Sequence, residues 1–228
     1  MAQTPASSTK IDESVRTVMS GILPASMSIA TRHGLPCDYT AGHRPRYVAG
    51  NLSDPSLVRI ILLMAEPGSS PASGEVGRDE ATWLYDVTCD GLGNGGYRFR
   101  YDERAWEPYE TKPREFLAMV WPNATYTEKM RQSVVTNAFW MQAWTSGGGI
   151  PREAEVEFAP HLARFCRAFP RAIVVAAGEK SKRRCNMARI QAIEMEALTQ
   201  PQANKPRAHA TWRCAADKIQ SILAARAQ

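Results

Sequence analysis

The fold class follows from Leu57-Val-Arg-Ile-Ile-Leu-Leu-Met-Ala-Glu-Pro-Gly-Ser69, an almost continuous apolar run that stops at Glu66-Pro67-Gly68. A run of this length, rich in Ile and Leu and bounded by Pro-Gly, predicts a strand over 57–64 that is buried on both faces, as in parallel sheets. Ligands of open α/β sheets bind at the carboxyl ends of the strands. Glu66 is therefore either a carboxylate at a functional edge or the first residue of an ordinary surface turn.

Two further apolar runs follow in the chain and resemble the first. They cover 132–137, ending in Asn137, and 172–177, stopping at Gly178. Between them, one helical face is marked by Phe158, Leu162, Phe165 and Phe169, and a last helix by Trp212, Ala215, Ala216, Ile219, Ile222 and Leu223. Strand and helix patterns alternate, which predicts an α/β protein with a parallel sheet between helices.

Helix ends are predicted from capping and proline signals. Thr9 and Asp12 fit a capping box for a first helix that we expect to stop at Pro24. Pro160 is acceptable if the regular helix starts there, and Pro170 ends that helix. We predict one domain over 1–228, with an irregular N-terminal extension over 1–56 and an aromatic-rich insertion over about 69–130.

Composition narrows the functional classes. The 228 residues are 44% hydrophobic, enough for a sizeable core, and the formal net charge of +5 is compatible with a polyanionic partner. No apolar run approaches the roughly 20 residues of a membrane helix, and no secretory signal is visible. The five cysteines are scattered without a CxxC pair, which argues against a disulfide framework, a zinc knuckle or an iron–sulfur cluster. These features predict a cytoplasmic protein without a metal.

Three polar residues stand at predicted strand ends or before the last helix: Glu66, Asn137 and His209. A carboxylate can align a water or stabilise positive charge on a sugar. An Asn amide can pair with the edge of a planar base, and a His can hydrogen-bond to a leaving group that becomes anionic. Together they are suited to hydrolysing the bond between a base and a sugar.

The segment Met64-Ala-Glu-Pro-Gly68 resembles the first motif of the uracil-DNA glycosylase superfamily, in which a strand ends in five residues with Pro usually fourth. Val134-Val-Thr-Asn137 resembles the strand whose terminal Asn recognises uracil. Ile173-Val-Val-Ala-Ala-Gly178 resembles a later strand and glycine turn, and His209-Ala-Thr211 stands where the family has His-Pro-Ser. Glu66 replaces the Asp of one branch, Met64 the usual Gly, and Ala210 and Thr211 the Pro and Ser.

The resemblance implies a three-layer α/β/α fold with a mainly parallel four-stranded sheet. It also implies a monomeric, monofunctional enzyme of base excision repair that flips uracil out of DNA and needs no metal or cofactor. Glu66 would handle the water, Asn137 would read uracil, and His209 would assist the departing base. The iron–sulfur branches are excluded because their cysteine ligands have no counterpart.

Other residues are weaker candidates for contacts with the nucleotide and the DNA. Gly68 and Ser69 would let the backbone approach the base or a phosphate, or would simply form a turn. An aromatic ring should stack on uracil. The candidates for it are Phe99, Tyr97 and Phe139.

Cations near the predicted helix starts suggest phosphate contacts. Lys180, Lys182, Arg183 and Arg184 follow Gly178, where phosphate contacts and a merely solvated face are both reasonable. Arg207 and Arg213 flank His209, and Arg213 stands where family members insert a side chain into the duplex.

Three alternatives remain open from the sequence. The chain could act on another deaminated base such as hypoxanthine or xanthine. It could be a DNA-binding homologue that has lost turnover. It could also be an unrelated α/β hydrolase of small molecules, although no G-x-S-x-G nucleophile motif is present.

Overall fold

A computed structural model describes residues 8–9, 11–35, 48–65, 97–98, 111–141, 149–198 and 204–227. The strands in these ranges are β1 (Ser8–Thr9), β2 (Val48–Gly50), β3 (Ile60–Met64), β4 (Tyr97–Arg98), β5 (Ser133–Asn137), β6 (Ile173–Ala177) and β7 (Ala192–Met195). The helices are α1 (Glu13–Arg32), α2 (Thr111–Val120), α3 (Tyr126–Arg131), α4 (Arg152–Arg167), α5 (Glu179–Met187) and α6 (Pro206–Ala225).

The main sheet has the strand order β2-β5-β3-β6-β7. Strands β5, β3, β6 and β7 are mutually parallel, so the parallel part has the order 2-1-3-4 in chain sequence, and β2 joins β5 antiparallel at the edge. The predicted parallel sheet flanked by helices is confirmed. A separate antiparallel pair joins β1 to β4.

The three predicted strands form the centre of this sheet. Every residue of β5 and β6 is buried, as are the first four of β3. Such continuous apolar runs are expected where helices cover both faces of a parallel strand. The predicted aromatic face of α4 is also buried, and Phe165 makes edge-to-face contacts with Trp140 and Phe169.

Helices pack in pairs around the sheet. Helix α1 contacts α4, which in turn contacts α5, while α2 contacts α6 and α6 contacts β7. The predicted C-terminal helix is confirmed, with Trp212, Ala215, Ala216 and Ile219 buried. Within the described ranges, no helix is long and apolar enough to span a membrane.

Three predicted helix boundaries are wrong, one because of local capping and two because of tertiary packing. The N-cap of α1 is Asp12, which accepts a hydrogen bond from the Ser14 backbone N–H, whereas Thr9 lies in β1. Helix α1 continues past Pro24 to Arg32, and α4 begins at Arg152, with Pro160 inside it. An internal proline costs about 3 kcal/mol, but apolar side chains are buried on both sides of each proline and offset that cost.

Two short strands of the sheet, β2 and β7, were missed by the sequence patterns. Each has only three or four residues, too few for a periodicity to be recognised. Gly50 in β2 has φ +113°, and a Cβ there would lie 2.0 Å from the Ser133 carbonyl oxygen. Glycine therefore permits the close approach of β2 to β5.

Candidate active site at the carboxyl edge of the sheet

The ends of β3 and β5 lie side by side at the carboxyl edge. Met64 and Asn137 are register partners in the parallel ladder. The hydrogen bonds continue beyond the strands, because the Ala138 N–H donates to the Met64 carbonyl (2.6 Å) and the Phe139 N–H to the Ala65 carbonyl (3.1 Å). The chain after β5 is thereby fixed to the two residues that precede Glu66.

Asn137 is 4% exposed and closes a strand whose side chains are all buried. A buried amide needs hydrogen-bond partners for its oxygen and its NH₂ group, and it discriminates strongly between donors and acceptors. Such a residue at a strand end can read the polar edge of a ligand, which is the role predicted for Asn137. The predicted sites at Glu66, Gly68, Ser69 and Phe99 lie outside the described residues.

Phe139, one of the three candidates for stacking on a base, is a core residue. Its side chain is fully buried, with the Phe158 ring edge-to-face at a centroid distance of 5.1 Å. The guanidinium of Arg184 lies over the Phe139 ring at 5.3 Å. Its ring is thus packed against the protein's own side chains, as expected of a core residue.

The Arg184 side chain belongs to a buried ionic cluster that the sequence did not predict. Arg184 and Glu155 are both almost completely buried, with the Arg184 Nε donating to the Glu155 carboxylate at 2.9 Å. Arg183 donates to the same carboxylate from two nitrogens, at 2.7 and 3.0 Å. One signal was available in the sequence, since Glu155 shares the inward helical face of Phe158 and Leu162.

The predicted glycine turn follows β6. Gly178 has φ +89°, its N–H donates to the Met195 carbonyl (2.9 Å), and a Cβ there would lie 2.9 Å from the Ala197 Cβ. Only glycine fits both the conformation and the contact. The turn joins the carboxyl ends of β6 and β7 and aims the N-terminus of α5 at this edge of the sheet.

Lys182 and Arg183, two of the α5 cations predicted to contact phosphate, are engaged in ion pairs. Lys182 lies 2.8 Å from the Glu179 carboxylate and 3.7 Å from that of Glu194. The hydrogen bond to Glu179 is the main cause that raises the pKa of Lys182. Arg183 is held by Glu155, and Lys180 is half-buried on the same helix. A phosphate would have to compete with these carboxylates.

His209 lies inside α6, whereas the sequence predicted it before the helix. Pro206 occupies the first turn, a position for which its fixed φ is suited, so the helix begins earlier than expected. The His209 ring is half-buried and lies 4.6 Å from the centre of the Trp212 ring. Arg207 and Arg213 are exposed on the same helix, with Arg207 at 3.7 Å from the Glu196 carboxylate.

The start of α6 is attached to the chain that follows β7. The Glu196 N–H donates to the Thr211 hydroxyl (3.0 Å), and the Trp212 indole N–H donates to the Glu196 carbonyl (3.0 Å). His209 therefore stands at the carboxyl side of β7. Three strand spacings separate β5 from β7, about 14 Å. Asn137 and His209 mark the two flanks of one edge, and the gap between them is spanned by the ends of β3 and β6.

This gap includes the topological switch point of the sheet. The chain leaves β3 toward β5 on one side, whereas it leaves β6 toward β7 on the other. Crevices at such points are the usual ligand sites of open α/β sheets. In the part of the chain that the structure describes, no group of three or more His, Cys, Asp or Glu side chains could hold a metal ion. Comparison with protein-family models, curated proteins and solved structures gives no match.

Proposed function

We propose that this protein is a DNA glycosylase that hydrolyses the N-glycosidic bond of uracil after the nucleotide is flipped out of the DNA. The observation that supports it most is the buried Asn137 at the end of β5, which is in register with Met64 of β3. Met64 precedes Glu66 by two residues in the chain. The strand register thus brings Asn137 next to the end of β3, the strand that precedes Glu66 in the chain, in the order that the resemblance implies.

The fold supports a three-layer arrangement of the same family. Parallel crossovers are right-handed in nearly all proteins. The connection from β5 to β6 through α4 and that from β6 to β7 through α5 run in the same direction across the sheet, so α4 and α5 belong on one face. The connection from β3 to β5 contains α2 and runs in the opposite direction, so α2 belongs on the other face. The contacts of α1 with α4 and of α2 with α6 then complete the two outer layers.

In the proposed reaction, Asn137 donates to uracil O4 and accepts from the N3 proton. Cytosine has an amino donor (N4) in place of O4 and an acceptor at N3 in place of the N3 proton, so it is rejected. Reading of both groups by a buried amide is selective because a mismatched base leaves a buried polar atom unpaired.

Bond cleavage follows from the charges that develop. The bond between C1′ and N1 breaks, its electron pair leaves with uracil, and positive charge appears on the sugar. The Glu66 carboxylate stabilises that charge and orients a water, whose oxygen bonds to C1′ and whose proton is released to the carboxylate or solvent. His209 donates a hydrogen bond to uracil O2 as the base becomes anionic.

The positions of Asn137 and His209 on opposite flanks of the edge support this division of labour. From opposite sides, each would form a hydrogen bond to a different part of one pyrimidine ring. Arg207 and Arg213, exposed on the first turns of α6, would meet the DNA beside the flipped nucleotide. The first-turn N–H groups of α5 would favour a phosphate at the same edge.

The deciding experiment uses end-labelled oligonucleotides that each hold one uracil, hypoxanthine or xanthine, in single-stranded and duplex form. We expect alkali-sensitive sites and free base from uracil alone. Release of hypoxanthine or xanthine in preference to uracil would contradict the assigned base. No release from any of them, with DNA binding retained, would contradict enzymatic activity.

One observation favours a DNA-binding homologue without turnover as the second candidate. His209 stacks on Trp212 within the helix, and the residues after it are Ala210 and Thr211 in place of Pro and Ser. Thr211 already uses its hydroxyl in bonds to the Glu196 N–H and the Ala208 carbonyl. In that case the oligonucleotides would bind with a salt-dependent affinity and remain intact.

A further inference from the structure

A groove of about 850 Å³ runs along the outer side of α4, away from the candidate active site. One wall is formed by Val156, Pro160 and Ala163 of α4, and the other by Phe169 and Ile190. We name this surface the α4 groove. It reaches the chain before β6 and the turn before β7, and so it extends to the amino edge of the sheet, opposite Asn137 and His209.

The surface of the α4 groove is apolar where solvent would normally favour polar side chains. Val156 is 54% exposed, and Leu57, in a separate turn, is the other large apolar residue that is exposed in the described ranges. Pro160 has no N–H to donate to the Val156 carbonyl, so that carbonyl lacks its usual helical partner. The groove therefore offers apolar contacts together with a backbone acceptor.

The charges around the α4 groove have a single sign. Arg167 and Arg189 line it, and none of the described lining residues is acidic. Arg171 follows Pro170 at the same end, and Arg226 donates to the Arg171 carbonyl at 2.8 Å. These arginines contrast with Arg183 and Arg184, because no ion pair joins Arg167, Arg171 or Arg189 to a carboxylate in the described part of the chain.

Arg189 has a backbone conformation that is unfavourable for arginine. Its φ is +54°, at the end of α5, where the Ile190 N–H bonds the Cys185 carbonyl and the Arg189 N–H bonds that of Asn186. This Schellman pattern usually has glycine at the left-handed position. An arginine held there at a conformational cost suggests that its side chain is needed on the surface.

We propose that the α4 groove binds an acidic amphipathic helix of a partner protein, with apolar side chains against Val156 and Ile190 and carboxylates against Arg167 and Arg189. The α4 wall from Val156 to Arg167 is roughly 16 Å long, which matches about three turns of a docked helix. DNA fits less well because its backbone would leave the apolar wall uncovered. A second copy of the chain would bring the same arginines together.

The test uses fluorescence anisotropy with a labelled peptide of ~16 residues that has Leu on one helical face and Glu elsewhere. A matched peptide with Gln in place of every Leu keeps the charge and removes the apolar face. We expect saturable binding of the first peptide and at least about tenfold weaker binding of the second, because apolar contacts and charge act together. Equal binding of both peptides, or none of the first, would overturn the proposal.

Two variants locate the binding surface. Val156→Glu places a negative charge in the groove, which repels the acidic Leu/Glu peptide and should weaken its binding about tenfold. Leu57→Glu makes the same change at the other exposed large apolar residue of the described ranges and should leave peptide binding unchanged. Arg189→Gly removes the cation and relieves the positive φ, so affinity should fall while the melting temperature stays equal or rises. An equal effect of the two Glu variants, or unaltered binding by Arg189→Gly, would refute this location.

A competition assay and a measurement of the oligomeric state distinguish the acidic helix from DNA and from a second copy of the chain as occupants of the α4 groove. Because the groove extends to the sheet edge opposite Asn137 and His209, a uracil-free duplex should not displace the peptide. Displacement by the duplex would assign the surface to nucleic acid. A dimer that dissociates in Val156→Glu would assign it to a second copy. Each result is independent of whether the protein releases uracil.

Discussion

Asn137 and His209 stand on the two flanks of the same sheet edge, but the fold fixes them in different ways. Asn137 closes a strand that is bonded to β3 on one side and β2 on the other, and it is buried. His209 lies on a half-exposed helical turn, with Trp212 as its ring contact. Strand pairing on both sides thus makes the β5 flank preformed, whereas the His209 ring on the α6 flank is partly open to solvent.

The largest expected effect concerns Glu66, which follows β3, the strand next to the preformed flank. Glu66→Gln removes the negative charge that orients water and should lower uracil release about 10³-fold, within the range of general acid–base catalysis. Binding of uracil-containing DNA should persist in a gel-shift assay. Glu153→Gln, at an exposed carboxylate in the first turn of α4, is the matched control and should behave as wild type. Unchanged release by Glu66→Gln would remove this residue from the mechanism.

Removal of the buried ion pair between Glu155 and Arg184 is expected to have the next largest effect, since Arg184 packs on Phe139 just after β5. Glu155→Gln leaves the buried Arg184 without its carboxylate and should lower the free energy of unfolding by about 3 kcal/mol, as when one partner of a buried ion pair is removed. Urea unfolding measures this change, again against Glu153→Gln. A loss below about 1 kcal/mol would mean that the cluster behaves like a solvated surface pair.

Asn137→Asp tests recognition on the preformed flank. Its carboxylate cannot donate to uracil O4, and a lost hydrogen bond at a buried polar site costs about 1–3 kcal/mol. We expect uracil release to fall by about ten- to hundredfold, with some release from cytosine, measured on matched oligonucleotides. Asn186→Asp, at an exposed position of α5, controls for the added charge. Equal uracil rates for wild type and Asn137→Asp would disprove recognition by this amide.

The smallest effect is expected on the α6 flank. His209→Gln should lower uracil release about tenfold, since a half-exposed hydrogen bond is screened by water. The loss should shrink with 5-fluorouracil, whose anion leaves more readily and needs less stabilisation. His161→Gln is the control, at a half-buried histidine of α4. An equal loss with both bases would show that His209 supports the fold and does not assist the leaving group.

The apolar runs of the sequence were sufficient to predict the centre of the sheet, because buried parallel strands need continuous hydrophobic stretches. The last helix and the buried face of α4 followed from helical periodicity for a similar reason. The helix boundaries expected at Pro24 and Pro160 were not correct, because the helix-breaking tendency of proline was outweighed by apolar side chains that pack on both sides of each proline.

The candidate site was predicted unevenly. Asn137 was placed at a strand end by its position after an apolar run, and the structure has it there. His209 was expected in the chain before the last helix, but Pro206 starts α6 earlier. Arg183 pairs with Glu155 of α4, which is distant in sequence, so composition could not distinguish this ion pair from a phosphate ligand, whereas the pair of Lys182 with Glu179 has the i, i+3 spacing of a helical surface pair.

The sequence by itself determined the α/β class, the three central strands and the positions of Asn137 and Gly178 at strand ends, because burial and turn chemistry act over neighbouring residues. Only the tertiary structure decided the strand order 2-1-3-4, the placement of Asn137 and His209 on opposite flanks of one edge, and the pairing of Glu155 with Arg184. These depend on which strands and helices become neighbours. That choice minimises the exposed apolar surface of the whole chain, and no local pattern encodes it.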